Sequence, residues 1–249
     1  MLLFRLAVLS ASGAGLYILS GIGDGGIRWA NLIYYTNLSN LACFALYILL
    51  AAKSVIEIIN EHKNPPANDD LPAANPNPPE HKNPPARIFE TATGPFVKGA
   101  VLMMLAVTML VYHFMLSATG FVMQVNSNPQ IKTANILLHY AAPILAIAEW
   151  FLFDKKNSFR RYYPPMWLSV PFVYTVFVYI RAGFGGNIGQ TGSRFPYFFF
   201  DIDAVGLTGV IVYAAVLFCA FLLLGYIFYF LDFALGRFEK TTQKNGQTK

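Results

Sequence analysis

Thr36 and His139 carry the two side chains an activated nucleophile needs, a hydroxyl and an imidazole able to take its proton. Thr36 lies in the run YYTNLSNLACF (34–44), inside a stretch otherwise apolar enough to cross a bilayer. In hydrocarbon, a polar group without a partner is strongly destabilising. Thr36, Asn37, Ser39 and Asn40 must therefore be met by polar groups from other segments, or be there for chemistry. At helical spacing, Thr36, Ser39, Asn40, Cys43 and Tyr47 share one stripe, and Asn135, His139, Ala142, Ala146 and Glu149 share another. Asn40 or Asn135, placed beside a Thr–His pair, would orient the imidazole or donate to a developing oxyanion.

The elements that must position these groups are membrane helices. Of the 249 residues 55% are hydrophobic and only 12% charged, about half the charge of an ordinary soluble domain. Several apolar runs reach the roughly 20 residues that span a bilayer. The expected fold is an all-α membrane protein of six transmembrane helices, at about 2–21, 31–52, 97–118, 133–153, 165–182 and 204–231. The first run has only Arg5 as a charged start and no A-x-A site after it, so it is read as a span and not as a signal peptide.

Fourteen Lys and Arg fall on one side of this topology, and only Arg28, Lys132, Arg181 and Arg194 on the other. Both termini are then expected in the cytoplasm. Thr36 and His139 would each lie roughly 8–9 Å below the outer boundary. His113 sits near that depth on the third span, Arg181 closes the fifth, and Asp201 and Asp203 open the sixth. Glu149 is the main polar residue of the inner half.

Around the single membrane domain, two segments stand out. A cytoplasmic Pro-rich loop (60–95) holds the heptapeptide EHKNPPA twice, at 61–67 and 80–86, and residues 232–249 form a basic cytoplasmic tail. The net charge of +5 is spread over loops and segment ends, which argues against nucleic acid as a partner. Cys43 and Cys219 both fall in apolar segments and form no disulfide framework. The Gly-rich start of the 181–203 loop contains no phosphate-cradling motif. The expected partner is a membrane lipid or acyl ester, with no cofactor. Two rival readings stay open: His113 and His139 as haem or metal ligands in a binding or transport protein, or the whole polar layer as structural contacts.

The runs VYHFMLSATG (111–120), LLHYAAPILAIAEWFLF (137–153) and FPYFFFDIDAVG (195–206) resemble a bacterial family of six-pass membrane proteins, the Pr-six-Pr family. More distantly, the chain is similar to the androgen-induced and FAR-17a-like proteins of animals. The resemblance covers most of the chain outside the Pro-rich loop, and it implies a bacterial inner membrane as the location. The animal proteins hydrolyse fatty acid esters of hydroxy fatty acids with a threonine and a histidine, positions that Thr36 and His139 match. The same pattern places Pro143 and Glu149 after the histidine, with the proline one residue closer here. The chain departs from the bacterial pattern before the sixth span, where Phe198 stands in place of a second proline.

Overall fold

The computed structural model describes residues 1–63, 84–117, 119–188 and 192–246. Six helices are long and apolar enough to cross a membrane: α1 (Leu2–Ser20), α2 (Tyr35–Lys63), α3 (Ile88–Leu116), α4 (Pro129–Phe153), α5 (Tyr163–Phe184) and α6 (Ile202–Glu239). No strand occurs among the described residues. The chain is thus an all-α, six-span membrane protein.

Helix ends differ from the hydropathic ends for a physical reason. Apolar content marks where a segment meets water, whereas a helix stops only at a breaker. After residue 52 nothing interrupts α2 before Lys63, just ahead of Pro65. The helix of α6 likewise continues to Gly246, so the described part of the 232–249 tail is helical. Asp232, its first residue, is buried and accepts the backbone N–H groups of Ser158 and Phe159 at 2.6 and 2.7 Å. Residues 64–83, with most of the duplicated heptapeptide, lie outside the described residues.

Helices α3 and α4 each contain a π turn, at Tyr112–Leu116 and Leu137–Ala141. In α4 Pro143 accounts for it. Proline has no N–H for the carbonyl four residues back, that of His139, and its ring crowds that oxygen. The chain widens by one residue, and the Ala142 N–H bonds to the Leu137 carbonyl.

Helices α1 to α4 make the core of the bundle: α1 packs along α2 and α4, and α3 packs against both α2 and α4. Much of α6 faces outward through Leu207, Ile211, Val212, Val216 and Leu223, side chains suited to lipid. Close approaches depend on small residues. A Cβ on Gly99 would stand 2.2 Å from the ring of Trp167. That ring is buried and held by its Nε1–H bond to the Phe96 carbonyl at 3.0 Å. Gly99→Ala should therefore lower stability by about 1–3 kcal/mol. A melting temperature in detergent equal to that of wild type would show that Trp167 yields freely.

At the end of the bundle away from Thr36 lies a buried ionic cluster. Glu149 receives Arg5 Nε at 3.0 Å on one oxygen, and Lys98 Nζ at 2.5 Å and the Tyr47 hydroxyl at 3.3 Å on the other. Arg5 also donates to the Leu50 carbonyl and the Ser54 hydroxyl, and Lys98 to Asp154 at 2.6 Å. Two cations meet two carboxylates, which ties α1 to α4 together. Arg5 and Lys98, counted by sequence among the charges flanking the spans, are in fact inside the bundle.

Candidate active site

Thr36 is the second residue of α2, not a residue well inside a span that starts at 31, because Trp29–Ile33 form a separate 3₁₀ turn. His139 lies ten residues into α4, which starts at Pro129. The two side chains nevertheless touch, so α2 begins roughly two helical turns below the start of α4. The space above its N-terminus is a cavity of about 500 Å³. Thr36, Asn37, Asn135 and His139 line it together with the loop residues Phe195–Phe198 that precede α6.

The Thr36 hydroxyl lies 3.1 Å from His139 Nε2, and both residues are buried. The other ring nitrogen, Nδ1, is 2.9 Å from the Asn135 carbonyl, which only accepts. Nδ1 therefore carries the proton, Nε2 presents its lone pair, and the Thr36 O–H donates to it. This is the arrangement of a nucleophile and its base, with a backbone carbonyl as the orienting third group. Tyr112 stacks on the imidazole at 3.8 Å and 25° between rings, so its π face lies against any positive charge formed there. The Asn135 amide donates to Asn126, and the Asn126 amide donates to the Tyr112 hydroxyl, which fastens that ring.

The N-terminus of α2 leaves backbone N–H groups without intrahelical partners. Of these, the Tyr35 N–H meets a phenol. Tyr174 accepts from the Tyr35 N–H at 3.2 Å and donates to the Ile33 carbonyl at 2.8 Å. Tyr197, in the loop before α6, lines the same cavity. Burial pushes its phenol up to about 12, so it is protonated at neutral pH.

The polar stripe of α2 is met from both sides. Ser39 bonds to Thr108 of α3 at 2.8 Å and donates to the Thr36 carbonyl. Asn40 donates to the carbonyls of Thr36 and Leu138. Asn40 thus links α2 to α4 and does not aim its amide at the hydroxyl. Asn135 orients the imidazole, but through its backbone carbonyl, its side chain being engaged by Asn126.

Other expected members lie apart. Glu149 belongs to the ionic cluster with Arg5 and Lys98. His113 is exposed, with Nδ1 3.2 Å from the Tyr140 hydroxyl, and does not share a site with His139, whose two nitrogens are already engaged. No group of three or more His, Cys, Asp or Glu among the described residues is arranged to hold a metal ion. Arg181 donates to the Arg194 carbonyl at 3.0 Å, and Asp201 accepts from Ser193 and from two backbone N–H groups at the start of α6. Both fasten the loop that carries Tyr197.

Tyr112 and Tyr197 were not anticipated. Tyr112 had a signal: it continues the buried stripe Val101, Leu105, Thr108 of α3, a stripe that His113 misses. Tyr197 had none, since a loop residue has no period to reveal its direction. No family model, curated protein or solved structure matches the chain, so the chemistry of this site rests on its own atoms.

Proposed function

We propose that this protein is a membrane-embedded lipid-ester hydrolase, with Thr36 as nucleophile and His139 as general base. The observation that carries the reading is the 3.1 Å contact between the Thr36 hydroxyl and a His139 Nε2 left unprotonated by the Asn135 carbonyl. His139 takes the Thr36 proton as the hydroxyl attacks the ester carbonyl, then returns it to the leaving alcohol. Water hydrolyses the acyl-threonine by the same route. Leu19, Leu116, Val122 and Phe195 give the cavity apolar wall for an acyl chain. Asn37 Oδ1 and the Tyr34 hydroxyl are buried beside it without a protein partner among the described residues, and would bind the polar end of a substrate. The resemblance to the Pr-six-Pr and androgen-induced proteins, whose threonine Thr36 matches in position and whose histidine His139 matches, supports the same reading. In this reading the cavity opens to the outer leaflet of a bacterial inner membrane, with both termini in the cytoplasm.

A long-chain alkyl fluorophosphonate tests the assignment. The detergent-purified protein should gain one phosphonate, and peptide mapping should place it on Thr36. An adduct on Ser39 or another hydroxyl, or none, would defeat the assignment.

A further inference from the structure

We infer that Tyr112 is a positioning residue of the Thr36–His139 pair: its ring, fastened by Asn126, fixes the plane of the imidazole and stabilises the imidazolium formed when Thr36 gives up its proton. The inference rests on the hydrolase reading. In that reaction the Thr36 oxygen bonds to the ester carbonyl carbon while its proton passes to His139 Nε2, and the π pair of the carbonyl moves onto its oxygen. The imidazole ring then carries a full positive charge until the ester C–O bond breaks and the alcohol leaves with the proton from Nε2. His139 is buried, so water does little to solvate that charge.

An imidazolium of this kind usually has a carboxylate partner. Here Nδ1 meets a neutral backbone carbonyl, and among the described residues no carboxylate pairs with the ring. Glu149 is held by Arg5 and Lys98, and Asp201 by Ser193 and backbone N–H groups. The electron-rich group that does meet the ring is Tyr112. The two ring centroids lie 3.8 Å apart with 25° between the planes, well inside the range at which a cation is drawn to an aromatic face.

The tyrosine is held in that place. Its hydroxyl accepts from the Asn126 amide at 3.2 Å, and Asn126 Oδ1 accepts from the Asn135 amide at 2.7 Å. The Asn135 carbonyl in turn holds His139 Nδ1 at 2.9 Å. These contacts close a circuit, so both rings take their position from one residue a single turn earlier on α4. Tyr140 packs edge-on against Tyr112 at 5.7 Å. Tyr112 also opens the π turn of α3, and His139 is the middle residue of the π turn of α4. Each helix thus leaves regular register where the two rings meet, and such bulges are frequent at functional sites.

The test is the rate at which the full-length protein reacts with an alkyl fluorophosphonate as the ring at position 112 is varied. The series is wild type, Tyr112→Phe, and then mono-, di- and trifluorophenylalanine at that position. Fluorine draws electron density from the ring face with little change in size, so a packing contact is insensitive to the series and a cation–π contact is not. The proposal expects a fall at each added fluorine, about 10-fold from Tyr112→Phe to the trifluoro ring. The melting temperature and the affinity for a non-reactive alkyl ether analogue should stay unchanged along the series. Equal rates across it, with Thr36→Ala silent, would overturn the role of Tyr112 and leave the hydrolase standing. Wild type that does not label, or Thr36→Ala that does, would overturn the hydrolase reading and this inference with it. If Tyr112→Phe melts early, fluorotyrosines at position 112 replace the series, since they keep the hydroxyl that Asn126 holds. A rate that falls with fluorination again supports the role, and an unchanged rate overturns it.

Discussion

Replacing His139 with glutamine is expected to slow acylation of Thr36 by on the order of 10²–10⁴-fold, the usual worth of a positioned general base. Glutamine roughly keeps the volume beneath Tyr112 but offers no ring nitrogen to take the proton. The loss should appear in kcat/KM with little change in the affinity of a non-reactive analogue, because the missing interaction is made only as the proton moves. Thr36→Ala should be at least as severe, since it removes the attacking oxygen. Groups that act as a unit are strongly non-additive. The double variant Thr36→Ala, His139→Gln should therefore be no slower than the worse single variant. Losses that instead multiply would mean that the two side chains contribute separately, and the dyad would be the wrong description. Thr36→Ser, which keeps the hydroxyl next to Nε2, should retain measurable activity.

Glu149→Gln should destabilise the protein by about 3–5 kcal/mol, the cost of leaving a buried charge without its partner. The carboxylate has no exposed surface and accepts from Arg5, Lys98 and Tyr47. Once it is neutral, Arg5 and Lys98 share only Asp154, which reaches Lys98. Two cations then repel inside the bundle, where little solvent screens them. Removing one of them should relieve this, so Lys98→Met with Glu149→Gln should be less destabilised than the two single losses added together. Reversible unfolding in mixed micelles measures both quantities. A Glu149→Gln protein within about 1 kcal/mol of wild type would show that the cluster is not essential to the bundle. The folded fraction should still label at Thr36, since Glu149 makes no contact with His139. This outcome separates a stabilising role for Glu149 from a catalytic one.

The six spans were legible in the sequence because hydrocarbon leaves no choice. A segment of about 20 apolar residues must bond its own backbone as a helix, and that demand is written along the chain. The facing stripes of α2 and α4 were legible for a related reason, since polar residues at helical spacing inside an apolar span have to face protein. Those two rules mark the stripes that hold Thr36 and His139 but do not choose them over Ser39, Asn40 or Asn135.

What the tertiary structure decided is which polar group meets which, and that depends on relative depth. Depth is set by local breaks that hydropathy does not register. The 3₁₀ turn at Trp29–Ile33 delays the start of α2, α4 begins early at Pro129, and Pro143 adds a residue to the turn that carries His139. Those shifts bring His139 to Thr36 and open the cavity above them. They also give the imidazole Tyr112, not His113, as its neighbour, and leave Glu149 to Arg5 and Lys98. Tyr197 reaches the site from an aperiodic loop, and only the packing of Phe199, Arg181 and Asp201 directs it there. A sequence carries the period and polarity of each helix in one dimension, whereas a site built across four elements requires their offsets along the membrane normal. Those offsets come from packing.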